Sequence, residues 1–305
     1  MAKNQHKYLI VLTGPTAIGK TDLAIGLNSE YKSSIVSADS RQVYKEMTIG
    51  TAKPSQEEII RHNICLVDHI SVKTPYSAGK FEIEAIAQIQ KDHSNNQFSI
   101  LCGGTGLYIQ SVEEGLDHFP DVPPSITSDL ENLLDNEGIT GLQQELEKED
   151  PTYYKIIDKQ NARRITRALS IIRTTGKPFS SFLGQGERLR PFKVIRVILD
   201  MERQELYDRI NLRVDKMIEK GLIEEVETLL KYKNLRALDT VGYREVFQYL
   251  EHQTSLEKCI EEIKKNSRRY AKRQMTWLRN KYSEPRFSPQ QFDEIRNYIE
   301  QNSSD

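Results

Sequence analysis

Gly14, Gly19, Lys20 and Thr21 fall at the spacing G-x-x-x-x-G-K-[ST], directly after the apolar run Tyr8–Leu12 and ahead of Asp22–Leu27, which reads as a helix. That strand–loop–helix context is the one in which the pattern cradles a polyphosphate. Glycines let successive backbone N–H groups turn inward around phosphate oxygens, and the helix N-terminus adds a positive end. Lys20 supplies charge to the outer phosphate, and the Thr21 hydroxyl suits a phosphate-bound magnesium ion. The loop alone leaves open whether its polyphosphate belongs to a nucleotide.

Two more polar clusters follow apolar runs, where ligands collect in open parallel sheets. Ser34–Ala38 leads into Asp39, Ser40, Arg41 and Gln42, and Phe98–Cys102 leads into Gly103-Gly-Thr-Gly106. Asp39 has three readings: a structural N-cap, an indirect magnesium ligand, or a general base beside the phosphate site. Thr105 either caps the helix that follows or turns its hydroxyl toward bound phosphate. Nucleoside-triphosphate hydrolases place an acidic magnesium ligand at a second strand end. Here that strand ends in glycines, and Asp68 after Leu66-Val67 is the remaining candidate.

The elements that must position these groups alternate in type. Tyr8–Leu12, Ser34–Ala38, Ile64–Val67 and Phe98–Cys102 read as buried strands, with helices at about 22–31, 55–62, 79–93 and 106–114. The expected fold is therefore α/β, a phosphate-loop-type parallel sheet flanked by helices. Character changes at Pro120, where Pro-Asp-Val-Pro-Pro introduces helical segments and then a glycine-rich stretch, Phe182-Leu-Gly-Gln-Gly186. We read 120–190 as an inserted all-helical domain, and 1–119 with 191–305 as the core. Lys193–Leu199 returns as a strand, followed by C-terminal helices at about 203–231, 241–251 and 255–282 packed on the core, then a polar tail.

Charged residues are 29% of the 305 and hydrophobic ones 37%, which describes a soluble globular chain, and no apolar run reaches the length of a membrane span. The first seven residues lead straight into a strand, so no signal peptide is expected and the cytoplasm is. Cys65, Cys102 and Cys259 lack metal or disulfide spacing, and each reads as a buried structural thiol. No self-complementary apolar stripe is evident, so a monomer is expected.

The net charge of −1 hides segregation: Asp121–Asp150 carries nine acidic residues against Lys148 alone, Lys159–Lys177 six basic and no acidic, and Lys264–Lys281 eight basic and no acidic. Either these runs are solvated helix faces or they form a local surface for a polyanion. In the last run Leu256, Ile260, Ile263, Ser267, Tyr270 and Trp277 recur at helical spacing, with Lys265, Arg268, Arg269, Lys272 and Arg279 on another face. Tyr270 and Trp277 read as core rather than as base-stacking platforms. Arg163, Arg164 and Arg167 share one side of a helix whose other side is Ile165, Ala168, Leu169 and Ile172, an arrangement suited to phosphate contact.

Together these segments resemble the transfer-RNA dimethylallyltransferases, also called isopentenylpyrophosphate transferases. The resemblance rests on Gly14–Thr21, Asp39-Ser-Arg-Gln-Val-Tyr44, Ile49-Gly-Thr-Ala-Lys-Pro54, Gly103-Gly-Thr-Gly-Leu-Tyr108, Thr175-Gly-Lys-Pro178, Gly221-Leu-Ile-Glu-Glu-Val226, Gly242-Tyr-Arg244 and Ala271–Arg279, in order along nearly the whole chain. It implies transfer of a dimethylallyl group from dimethylallyl diphosphate to adenine N6, at the adenosine just 3′ of the anticodon in tRNAs reading codons that begin with U. By the same resemblance Gly14, Pro15, Thr16, Ala17, Ile18, Gly19, Lys20 and Thr21 hold the diphosphate with Mg2+ on Thr21, Asp39 is the general base, and Thr105 lies near the departing oxygen. Arg244 is implied at the diphosphate or the RNA.

The implied tRNA contacts are Asp39, Ser40, Arg41, Gln42 and Thr105, then Gln160, Asn161, Ala162, Arg163 and Arg164. They continue with Asp239, Thr240, Val241, Gly242, Tyr243 and Arg244, and with Lys272, Arg273, Gln274, Met275, Thr276, Trp277, Leu278 and Arg279, the inserted domain gripping the anticodon stem. Competing readings predict different features. An enzyme that prenylates free adenine nucleotides has no need of the insertion, a nucleotide kinase leaves two basic helices unexplained, and a pure RNA-binding module has no use for Lys20 and Thr21.

Overall fold

The computed structural model describes residues 6–184 and 189–304. Six parallel strands form one sheet in the order β3-β2-β4-β1-β5-β6: β1 (Tyr8–Thr13), β2 (Ile35–Ala38), β3 (Ile64–Cys65), β4 (Phe98–Gly103), β5 (Lys193–Leu199) and β6 (Arg286–Phe287). Strand β1 is central and buried on both faces, which its run Tyr-Leu-Ile-Val-Leu-Thr permits. Register places Gly103 level with both Thr13 and Ala38, so the loops after β1, β2 and β4 leave the sheet at one height. A side chain at position 103 is excluded, since a Cβ there lies 2.2 Å from the Ala38 carbonyl oxygen.

Helices cover both faces: α1 (Lys20–Tyr31), α2 (Gln56–Arg61), α3 (Ala78–His93) and α4 (Gly106–Glu113) in the first part, then α8 (Arg203–Glu219), α9 (Leu222–Thr228), α10 (Tyr243–Leu250), α11 (Leu256–Lys281) and α12 (Phe292–Ser303). The expected helix 203–231 is two helices, parted where Gly221 takes φ 94°. Strand β3 stops two residues short of Val67 because Leu66 and Asp68 adopt positive φ. The polar tail holds two elements that the sequence reading missed. β6 pairs with β5, and α12 buries Ile295 and Ile299 in the main core with Phe292 and Tyr298 packed against it.

Residues 115–189 form a compact unit apart from 1–114 with 190–305. It contains α5 (Pro124–Glu149, interrupted at Gly138), α6 (Pro151–Ile156) and α7 (Ala162–Thr175). Its own core joins Leu130, Leu142 and Leu146 to Ile165, Leu169 and Phe179. Buried Asp150 ties the unit together, accepting hydrogen bonds from the backbone N–H groups of Tyr153 and Ser180 at 3.0 and 2.7 Å. Of the glycine-rich stretch, residues 185 and 186 lie outside the described residues. Cys102 and Cys259 are buried as expected, whereas Cys65 is half-buried. No described helix is long and apolar enough to cross a membrane.

Candidate active site

A cavity of about 780 Å³ opens beyond the carboxyl ends of β1, β2 and β4, and Thr16–Thr21, Asp39, Gln42 and Cys102–Gly104 all line it. The phosphate loop joins β1 to the N-terminus of α1. Lys20 folds back over it, its Nζ donating to the carbonyls of Gly14 at 3.0 Å and Pro15 at 2.7 Å. Burial pulls this ammonium down to about 8, and the Arg213 cation adds to the effect against opposing charges on Cys102 and Asp39. An incoming anion that reaches Lys20 therefore meets a charge with little water around it, where electrostatic attraction is strongest.

Asp39 stands two strands over from the phosphate loop, at the end of β2, with β4 between them. Its Oδ1 accepts from the backbone N–H groups of Arg41 at 2.8 Å and Gln42 at 3.2 Å, which fixes the carboxylate toward the cavity as the chain turns off β2. Thr105 makes no side-chain cap to α4. Instead its Oγ1 accepts from the Ser40 N–H at 3.1 Å, pinning the β4 loop to the β2 loop. Asp68 is elsewhere: it forms an ion pair with buried Lys53 at 2.6 Å and does not line the cavity, so it is not the missing acidic metal ligand. Carboxylates on the cavity wall are Asp22, Asp39 and Glu205, and Thr21 adds its hydroxyl at the phosphate loop. Among the described residues no group of three or more acidic, His or Cys side chains gathers to cage a metal. A magnesium-like ion fits such a sparse set, since it keeps several waters and binds largely through substrate phosphates.

Three groups in this cavity escaped the sequence reading. Arg209 and Arg213 sit one turn apart on α8 and line the cavity with Lys216 and Lys220. Arg209 donates to the Ala17 carbonyl at 3.0 Å, bracing the phosphate loop, and Arg213 donates to the Thr51 carbonyl at 3.2 Å. Their spacing of four was a visible signal, a basic stripe flanking buried Leu206, Ile210 and Val214. Tyr270 is the third. Expected in the core, it is 37% exposed and lines the cavity, with its phenol held neutral because burial and the nearby Asp39 charge push it to about 12.

The residues implied as RNA contacts do not form one set. Gln274 is buried and acts as a strap: its Oε1 accepts from the Thr16 N–H at 2.9 Å and its Nε2 donates to the Gly104 carbonyl at 2.8 Å. Tyr243 and Leu278 are buried, at 0% and 2% exposure, and have no surface to offer RNA. Trp277 is half-buried and packs over Gly106. Arg41 is spent on the carbonyls of Arg236, Ala237 and Asp239, which couples the Asp39 loop to the segment before α10. Arg244 is exposed, pairs with Asp239 at 3.3 Å and does not line the cavity, which removes it from the diphosphate site. Lys272, Arg273 and Arg279 are exposed, as are Arg163 and Arg164 on α7. Lys264 and Arg268 of the last basic run pack instead on α8, against Asp215 and Asn211.

Glu225 on α9 holds the far wall. Its carboxylate accepts from the backbone N–H groups of Thr48, Ile49 and Gly50 at 2.9, 2.7 and 3.0 Å, and from the Tyr243 hydroxyl at 2.6 Å. The loop so anchored supplies Thr48, Ile49 and Ala52 to the cavity and the Thr51 carbonyl to Arg213. Charge-assisted bonds contribute roughly 1.5–3 kcal/mol each and are not additive. Glu225→Ala is therefore expected to lower unfolding free energy by about 3 kcal/mol, checked by the shift in urea midpoint at unchanged m-value.

A family model described as IPP transferase matches residues 42–281. The tRNA dimethylallyltransferase of Christiangramia forsetii is 48% identical over 297 residues, covering 96% of this chain and 97% of its own. Among solved structures, the tRNA isopentenylpyrophosphate transferase of Bacillus halodurans superposes with a TM-score of 0.72 at 35% identity, covering 97% of each chain. A eukaryotic dimethylallyltransferase acting on tRNA superposes with a TM-score of 0.74 at 28% identity, covering 89% of this chain and 70% of that one. With a cavity that pairs a phosphate loop with a carboxylate at the strand end beyond β4, and with relatives of this similarity over nearly its full length, the chain belongs to the IPP transferase family.

Proposed function

We propose that the chain transfers a dimethylallyl group from dimethylallyl diphosphate to N6 of the adenosine 3′-adjacent to the anticodon of tRNA. The observation that carries this reading is the common cavity of the phosphate loop and Asp39, an anion cradle and a proton acceptor on the strand ends that flank β4. The diphosphate rests on the loop N–H groups and the N-terminus of α1, with Lys20 and Arg213 facing it. As the allylic C–O bond breaks, its electron pair stays on the diphosphate, and these fixed charges stabilise the developing anion.

The adenine amine closes on the allylic carbon from the Asp39 side. Its N6–C bond forms as the C–O bond is lost, and the N6 proton passes to Asp39. The products are N6-dimethylallyladenosine, diphosphate and one proton. A neutral adenine amine is a weak nucleophile, so alignment inside the cavity carries much of the rate. Thr105, fixed against Ser40, steadies the loops on either side of the reacting centre. A divalent cation, with Thr21 as the residue that would hold it, supplies further charge neutralisation at the diphosphate. On the unit 115–189 the exposed Arg163 and Arg164 of α7 bind the phosphates of the anticodon stem.

The acceptor is tested with labelled dimethylallyl diphosphate and three alternatives: a stem-loop RNA bearing adenosine at the target position, the same RNA with guanosine there, and AMP. Label is expected on the first alone. Label on AMP with none on either RNA would make the chain a nucleotide prenyltransferase and overturn the reading.

A further inference from the structure

A second cavity, of about 490 Å³, lies beyond the carboxyl ends of β5 and β6. Helix α11 separates it from the first. Tyr270 and Gln274 face the reaction cavity, while Lys272, Met275, Thr276 and Arg279, on the opposite side of the same turns, line the second. Four cations surround the second cavity, Arg203, Lys272, Arg279 and Arg286, against Asp200 as its one carboxylate. Asp200 is engaged with the Met201 N–H at 3.0 Å and with Arg286 at 3.7 Å. Lys272 and Arg279 have no ion-pair partner among the described residues.

The cavity also has an apolar side. Met201, Tyr207, Met275 and Phe287 are half-buried, each packed against the main core with part of its surface left open. The Arg203 guanidinium sits over the Tyr207 ring, 5.1 Å from its centroid, and donates to its hydroxyl at 3.1 Å, which holds the guanidinium in place without neutralising it. Cations around a floor of aromatic and thioether groups match a ligand with one anionic and one flat unsaturated part. The volume is within the range of small-ligand sites.

We propose that this cavity binds a nucleoside phosphate of the RNA strand, its phosphate on Arg203, Arg279 and Arg286 and its base against Met275 and Phe287. The assignment rests on the proposed RNA acceptor. A strand that delivers an adenosine to one side of α11 has only a helix width, about 10 Å, to cross before reaching the other. Arg203 and Arg286 belong to no motif of the resemblance and extend the contact surface beyond Lys272–Arg279.

The test is Arg203→Ala with Arg286→Ala, read by fluorescence anisotropy of a labelled anticodon stem-loop across a salt series. RNA binding is expected to weaken about tenfold, and the slope of log K against log salt to fall by about 0.7, the value for one lost phosphate contact on a single strand. The KM for dimethylallyl diphosphate and kcat at saturating RNA stay unchanged. The Arg203→Lys, Arg286→Lys variant retains the slope, which separates charge from folding. Unchanged affinity and slope in the alanine variant would overturn the proposal. So would AMP binding that is lost in the variant while RNA affinity stands still, since the cavity would then serve a free nucleotide. Affinity is read without turnover, so failure of the transfer reaction shows in the wild-type control and not in the ratio of variant to wild type.

Discussion

Asp39→Asn is expected to lower kcat for transfer by about 10²–10⁴-fold, the range for loss of a positioned general base, with dimethylallyl diphosphate affinity within about twofold of wild type. Asparagine is the informative replacement because Asp39 does two things at once. Its Oδ1 accepts from the N–H groups of Arg41 and Gln42, and that part is structural. An amide oxygen keeps both bonds and cannot take a proton from the adenine amine. Asp39→Ala loses both functions and frees the turn that carries Arg41, so it is expected to fall further and to weaken RNA binding as well. Single-turnover kinetics at saturating RNA separate the two. An Asn variant with full activity would remove Asp39 from proton transfer and leave it as the anchor of its turn.

Lys20→Ala is expected to reduce kcat/KM by about 10³-fold, comparable to removal of one oxyanion donor in a water-poor site. The larger consequence is a pH signature. With the ammonium drawn down to about 8 by burial and by Arg213, the free enzyme loses this charge as pH rises through that value. The protonated form is the one that attracts the diphosphate, so kcat/KM for dimethylallyl diphosphate falls above about pH 8, approaching tenfold per unit. Bound diphosphate adds negative charge beside Nζ and raises its proton affinity, so the same limb in kcat lies at higher pH. In Lys20→Ala the limb is absent. A wild-type kcat/KM flat to pH 10 would show that Lys20 stays charged in the free enzyme or takes no part in binding.

What could be read without coordinates follows from how local each feature is. The phosphate loop, β1, β2, β4 and the placement of Asp39 and Thr105 at strand ends depend on neighbours in sequence, and the spacing of apolar runs reveals them. Gln274 is different. Its burial comes from α11 lying across two loops more than 150 residues upstream, so within Lys272–Arg279 nothing local distinguishes a strap from an RNA contact. The same distance hid the exposure of Tyr270 to the cavity, and the stripe of Arg209 and Arg213, visible in its spacing, carries no local sign that it faces the phosphate loop. Tyr243 misled for a related reason. It stands between Gly242 and exposed Arg244 in a polar stretch, yet its ring fills the space beside Gly50 and its hydroxyl reaches Glu225. Helix α12 was masked by composition: Ile295 and Ile299, four apart, are its only buried residues, with Phe292 and Tyr298 packed beside them and the rest of the helix polar.

In the proposed reaction this phosphate loop holds the leaving group of an alkylation and not a nucleotide to be hydrolysed. The most direct test follows diphosphate release and alkylated adenosine together, in one reaction containing the protein, Mg2+, dimethylallyl diphosphate, stem-loop RNA and ATP. One diphosphate is expected per N6-dimethylallyladenosine formed, with ATP intact and neither product without RNA. Consumption of ATP with no alkylated nucleoside would contradict this assignment and return the loop to nucleotide chemistry.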